Sequence, residues 1–255
     1  MEDIAKHQYL AELSQRCMIQ LNQEGRRWIC RVHDLMRDLC LSKANEINFL
    51  TDHNLQYHTT GGIHTANLVT SDACRKVRRY ATNLTYNADQ STRYDINLNK
   101  SVSAAVRTLI IGANSRFSLA PVNYQNIKLL RVLDLGNILH KTNITEEVSK
   151  LLLLTYLNLG HHSGFSVSSS IGNLRNLQTL RLYFRNLPET ISKLAQLRHL
   201  RLFEVSLDQK FRFENLINLM TIDGLVAGEW IRKGFFGEPF KSSNIVCRLE
   251  HAVAN

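Results

Sequence analysis

A frame of three apolar residues, spaced as Leu-x-x-Leu-x-Leu, recurs through the middle of this 255-residue chain and restricts its fold more than any other feature. It occurs at Val106-Leu109-Ile111, Leu130-Leu133-Leu135, Leu154-Leu157-Leu159, Leu177-Leu180-Leu182 and Leu197-Leu200-Leu202, and its starts step by 24, 24, 23 and 20 residues. Of 38 leucines, 26 lie in residues 101–225, so the apolar surface available for burial is concentrated there. The last two residues of each frame are two apart, and on an extended strand such a pair points to one face. One frame cannot cover its own apolar face, so successive frames must stack.

Period and frame together are those of leucine-rich repeats. The strand leucines form one wall of each coil. The stretch after each strand, such as Ile171, Leu174 and Leu177 or Leu187, Ile191, Leu194 and Leu197, steps by three and four and suits a helical or 3₁₀ turn as the other wall. The strand residues that alternate with the leucines must face away from the core. These are Asp134, Gly136, Tyr156, Asn158, Thr179, Arg181, Tyr183, His199, Arg201 and Phe203. Tyr156, Arg181, Tyr183, His199, Arg201 and Phe203 are the candidate partner-binding residues, because arginine and aromatic side chains dominate protein-recognition hot spots. A generic solvated basic face is the competing reading.

A degenerate first coil is read at Val77-Tyr80-Thr82, and a late one at Leu219-Met220-Thr221-Ile222 before Asp223-Gly224 breaks the frame. The repeats therefore span 76–225. Residues 226–255 read as an irregular tail without a cap, which predicts that the natural array is longer. Residues 51–75 are polar, Gly/Thr/His-rich and aperiodic, and read as a linker.

Residues 1–50 have another texture. Leu10, Leu13 and Cys17 predict a helix over about 4–16, and Met18–Leu21 and Arg27–Val32 predict a hairpin around Asn22-Gln23-Glu24-Gly25. A second helix is expected over 34–45, with Leu35, Met36, Leu39 and Cys40 inward and Asp34 capping it. Helix, wing-like hairpin and helix make part of a winged-helix unit. The fold class expected is therefore α/β: a partial winged-helix subdomain followed by a leucine-rich-repeat solenoid, or horseshoe.

Composition sets the context. Five cysteines without a Cys-x-x-Cys pair suggest neither a disulfide framework nor a zinc site, and no export signal or apolar span is visible, so the reducing cytoplasm is the expected location. The net charge of +9 favours acidic partners but is too diffuse to indicate nucleic acid. No Gly-x-Ser-x-Gly elbow or His-Glu-x-x-His helix occurs, so a binding scaffold is expected rather than an enzyme.

The segment YLAELSQRCMIQLNQEGRRWICRVHDLMRDLCLSKANEINFL, followed by irregular leucine-rich repeats, resembles plant intracellular disease-resistance proteins of the coiled-coil, nucleotide-binding, leucine-rich-repeat type. Their winged helix ends in a Met-His-Asp motif, for which this chain has Val32-His33-Asp34. The resemblance implies a switch that holds ADP at rest, exchanges it for ATP on sensing a pathogen effector, and signals defence and cell death. It implies further that His33 meets the ADP phosphates in the intact receptor, that Asp34 supports the motif, and that partners are the receptor's own nucleotide-binding module or an effector or host protein. The family's phosphate loop requires Gly-Lys, a dipeptide absent from this chain, so ADP or ATP is expected only in an intact parent and no cofactor for this chain alone. The alternatives are a leucine-rich-repeat adaptor or substrate receptor of a ubiquitin ligase and a winged-helix DNA-binding protein.

Overall fold

The computed structural model describes residues 2–24, 27–47, 51–55, 63–67, 78–84, 93–97, 105–113, 117–119, 124–136, 138–140, 145–161, 167–183, 187–205, 215–226 and 246–250. The chain divides into two compact units, Met1–Thr51 and Asp52–Asn255.

In the first unit, helix α1 (Glu2–Gln15) leads into an antiparallel hairpin of β1 (Ile19–Glu24) and β2 (Arg27–Val32), in register from Ile19↔Val32 to Glu24↔Arg27, followed by helix α2 (Asp34–Glu46). The helix, hairpin and helix order is as the periodicity predicts. Its interior is sparse: Ile19 is buried, while Leu35 is 76% exposed and Leu39 and Cys40 are exposed too. The expected inward face of α2 is thus corrected to half-buried Met36 and Leu41. About 50 residues hold too little apolar surface to cover both faces of a helix. Asp34 is the first helical residue, with His33 before it, and its carboxylate sits at the positive end of the helix dipole instead of in the cap position.

The second unit is a parallel stack. The main sheet joins β3 (Thr51–Leu55), β5 (Arg79–Leu84), β7 (Thr108–Ala113), β9 (Val132–Leu135), β11 (Tyr156–His161), β12 (Thr179–Tyr183), β13 (His199–Val205), β14 (Thr221–Val226) and β15 (Val246–Glu250) in that spatial order. A second sheet joins β4 (Ile63–Asn67), β6 (Arg93–Asn97), β8 (Phe117–Leu119) and β10 (Ile138–His140). After β10 the opposite wall changes to a helical turn, α3 (Thr145–Val148), and then to 3₁₀ turns at Ser169–Asn173 and Glu189–Lys193. The switch follows the sequence: Val148, Ile171 and Ile191 enter the core from these turns, each three residues ahead of the next buried leucine.

Register converts the frame into a continuous core. Leu109, Leu133, Leu157, Leu180, Leu200 and Ile222 are partners across consecutive strands, each no more than 1% exposed. Full burial of one such side chain is worth roughly 1.5 to 3 kcal/mol. The turns ahead of the strands repeat atom for atom: the amides of Leu130, Leu154, Leu177, Leu197 and Leu219 donate to the carbonyls of Ile127, Leu151, Leu174, Leu194 and Leu216 at 2.9 to 3.0 Å.

Three sequence expectations change. Residues 51–75 are not all linker, because β3 and β4 lie within them; a ladder of backbone hydrogen bonds does not require an apolar side-chain pattern. The tail is not wholly irregular, since β15 pairs in parallel with β14 from Thr221↔Val246 to Val226↔Glu250. The frame break at Asp223-Gly224 is a register shift with Gly224 at φ 81°, a conformation that suits glycine, and the strand resumes beyond it. The early coil at Tyr80 is present, buried opposite Leu109, whereas Val77 lies outside the described residues.

Candidate functional site

The register that aligns the leucines also aligns the residues between them. One outer row runs Val132, Tyr156, Thr179, His199 and Thr221, and the next runs Asp134, Asn158, Arg181, Arg201 and Asp223. Five of the six candidate residues, Tyr156, Arg181, Tyr183, His199 and Arg201, sit in these rows or directly beside them, all half-buried. Phe203 lies on β13, but its side chain is outside the described residues.

The rows are joined by a polar network centred on Asp134. Its Oδ2 accepts a hydrogen bond from the Tyr156 hydroxyl at 3.0 Å, and its Oδ1 accepts from Asn158 Nδ2 at 2.8 Å and from the Gly136 amide at 3.0 Å. Arg181 Nη1 in turn donates to the Tyr156 hydroxyl at 3.5 Å, so a charge on β12 is tied through a phenol to a carboxylate on β9. Farther along, His199 Nδ1 and Thr221 Oγ1 are 2.9 Å apart. Asn158, expected to face outward, is only 4% exposed: its neighbours in the row close over it. Asn158 Oδ1 and Arg181 Nε are buried without a hydrogen-bond partner.

Electrostatics follow the geometry. Burial raises the Tyr156 phenol above its ordinary range; the Arg181 contact opposes this and the Asp134 charge adds to it. Burial works against the Arg181 charge, yet the Tyr156 hydrogen bond and the nearby Tyr183 and Asp134 outweigh it and hold the guanidinium protonated. Arg181 and Arg201 are adjacent like charges, bracketed by Asp134 and Asp223 on either side of the pair. The surface is therefore a pair of adjacent cations with a carboxylate toward each end of the row, rather than the uniform basic patch that arginines alone suggest. Asp134 and Asp223 occupy the frame position of the arginines, and that alignment was the available signal for both.

His33 is exposed at the start of α2, its amide donating to the Met18 carbonyl at 3.1 Å and its carbonyl accepting from the Arg37 amide at 2.8 Å. The hairpin and helix thereby fix the backbone of His33 between them.

Against known proteins, residues 1–40 match the disease resistance protein winged helix domain, and residues 105–233 match a leucine-rich repeat region. The chain belongs to the leucine-rich-repeat disease resistance proteins. The disease resistance RPP13-like protein 3 of Arabidopsis thaliana is 30% identical over 245 residues, which cover 90% of this chain and 26% of that protein. The disease resistance protein RPP13 of the same plant is 29% identical over 209 residues, covering 78% and 22%. Among solved structures, the plant peptide hormone receptor RGFR1 in complex with RGF2 is similar at 24% identity and a TM-score of 0.46, over 66% of this chain and 27% of that one. The chain spans about a quarter of the length of the curated relatives it matches. The ubiquitin-ligase adaptor alternative gains no support, since residues 1–40 match the disease resistance winged helix. Among the described residues, no helix is long and apolar enough to cross a membrane.

Proposed function

We propose that this disease-resistance chain supplies the end of the winged helix and the first repeats of a plant intracellular immune receptor, working in defence through protein recognition and autoinhibitory contact in the cytoplasm. The observation that supports this reading is the Asp134–Tyr156–Arg181 relay, which holds a charged guanidinium at a fixed place on the outer rows beside Arg201 and His199. Leucine-rich arrays bind through extended surfaces of this kind, and pre-ordering a long cationic side chain removes part of the entropic cost of binding. The occupant is an acidic protein surface, either the receptor's own nucleotide-binding module or an effector or host protein. A ligand that prefers the released arrangement then shifts the balance toward the active state.

In the intact receptor, ADP and ATP are the nucleotides, and His33 is the residue of this chain that faces the phosphates, with Asp34 supporting the motif. An exposed imidazole at the positive end of a helix is chemically suited to a phosphate. The chain is a binding scaffold, not an enzyme.

The test is co-precipitation of this chain with the nucleotide-binding module of a matched Arabidopsis relative. Arg181→Glu with Arg201→Glu should abolish capture, and unchanged capture would overturn the reading. Calorimetry should detect no micromolar ADP binding to the 255-residue chain, while His33→Ala placed in an intact receptor should weaken ADP retention.

A further inference from the structure

The edge of the repeat stack that leads into the main sheet carries charge of one sign. Residues 105–108, 127–131, 149–155, 172–178, 192–198 and 215–220 form the turns ahead of successive strands, and they contain seven Lys or Arg and no Asp or Glu. The arginines are aligned rather than scattered. Arg78, Arg107, Arg131 and Arg198 all occupy the residue just before a strand, where each carbonyl accepts the two amides that open the next coil. From Arg78 to Arg198 the ladder spans five coil steps of about 4.8 Å, roughly 24 Å in all. Arg78, Lys128, Arg131, Arg175 and Arg198 are exposed, and none of them forms an ion pair with a described residue. Lys150 is the exception on this edge, held by Glu147 at 2.8 Å.

Apolar side chains stand among these cations. Leu152 is 55% exposed, and Leu129, Leu153 and Ile217 are exposed on the same turns. Arg131, Leu153, Thr155, Asn176, Gln178 and Gln196 line an open groove of about 300 Å³, with the guanidinium beside a leucine and a row of side-chain amides.

We propose that this edge docks on an anionic lipid surface. Exposed leucines between long-stemmed cations suit the headgroup boundary, where apolar tips enter and charged ends stay at the phosphates. Equivalent positions of stacked coils lie along one line, so the charges reach a plane together instead of converging on a point. Nucleic acid fits less well: the described part of the edge has no aromatic side chain on which a base would stack, and leucines gain nothing from a phosphate backbone. The groove beside Arg131 accepts a phosphorylated headgroup. This docking is independent of the outer-row recognition proposed above, because it uses different residues on a different side of the coils.

The experiment is co-sedimentation of the full chain with vesicles of phosphatidylcholine alone and of phosphatidylcholine with phosphatidylserine. Binding to the anionic vesicles only, released by high salt, is the expected result. Arg107→Glu, Arg131→Glu and Arg198→Glu together should weaken it at least about tenfold, and the corresponding triple glutamine variant should show a smaller loss if the glutamate variant fails to fold. Leu152→Ser with Leu153→Ser should weaken binding without changing net charge. A control with Arg16→Glu, Arg31→Glu and Lys43→Glu changes net charge equally but leaves the edge intact and should retain binding. Absence of sedimentation, equal binding to neutral vesicles, equal loss in the control, or tighter binding to oligouridylate or polyglutamate than to the vesicles would each overturn the proposal.

Discussion

Asp134 and Asn158 lie one coil apart on adjacent parallel strands, and Asp134 Oδ1 accepts a hydrogen bond from Asn158 Nδ2 at 2.8 Å. Because Asn158 is buried, this bond cannot be exchanged freely for water. Asp134→Ala strips the partner from a buried amide whose Oδ1 is already unpaired, and it frees the Tyr156 hydroxyl as well. A loss of about 1 to 3 kcal/mol is expected from the unsatisfied amide. Urea unfolding of the variant measures it; an unchanged midpoint would show that the network is not structural.

Close approach of neighbouring coils gives a second prediction. A Cβ at Gly172 would lie 2.6 Å from the Thr190 carbonyl oxygen and 2.8 Å from Thr190 Cβ, atoms that cannot swing aside. Gly172→Ala should therefore cost about 1 to 3 kcal/mol through overpacking, seen as a lower melting temperature. At Gly136 the short contact is with the end of the Asn158 side chain, so Gly136→Ala should act chiefly by displacing that amide.

The sequence frame located the buried leucines because period and chemistry coincide: an apolar residue at every frame position has one place to go. It located β7, β9, β11, β12 and β13 for the same reason. It missed β3, β15 and the second sheet of β4, β6, β8 and β10, where pairing is carried by backbone groups that leave no mark on side-chain pattern. It also overstated the inner face of α2, since the 3.6-residue stripe shows which side of a helix is apolar but not whether anything covers it. At the candidate site, Tyr156, Arg181 and His199 were legible from strand alternation. Asp134 as the hub was not, because the bond joining it to Asn158 spans 24 residues and depends on register.

Leu180 tests the stacking energy directly. It is fully buried between Leu157 and Leu200 on neighbouring strands, so Leu180→Ala leaves a cavity that rigid coils on both sides cannot close. The expected cost is about 2 to 5 kcal/mol. Chemical denaturation monitored by circular dichroism checks it, and a cost below that range would mean that the coils collapse around the gap.

Cys17 ends α1 in the left-handed region at φ 55°, with its amide donating to the Ser14 carbonyl and the Met18 amide donating to the Leu13 carbonyl, both at 3.0 Å. This is the helix-ending arrangement that glycine adopts without a Cβ penalty. Cys17→Gly should stabilise the end of α1 by about 0.5 to 1 kcal/mol, and Cys17→Val should destabilise it. Amide hydrogen exchange at Leu13 to Met18 reports the change locally, slowing in the first variant and accelerating in the second.

Two buried tyrosines should make the stability of the repeat unit fall at alkaline pH. Burial raises the Tyr124 phenol, assisted by the Glu147 carboxylate, and burial also raises Tyr80 from the ordinary value of 10.0. The unfolded chain then loses these protons at lower pH than the folded one. The stabilisation is complete below the ordinary tyrosine value of 10.0 and declines as pH rises from there toward the elevated folded-state values. Tyr124→Phe should flatten that decline, measured as melting temperature against pH. Tyr80→Phe should do so as well, and because the Tyr80 hydroxyl is buried without a hydrogen-bond partner, its removal should raise the melting temperature at neutral pH. A steeper alkaline decline in either variant would exclude the phenols as its cause.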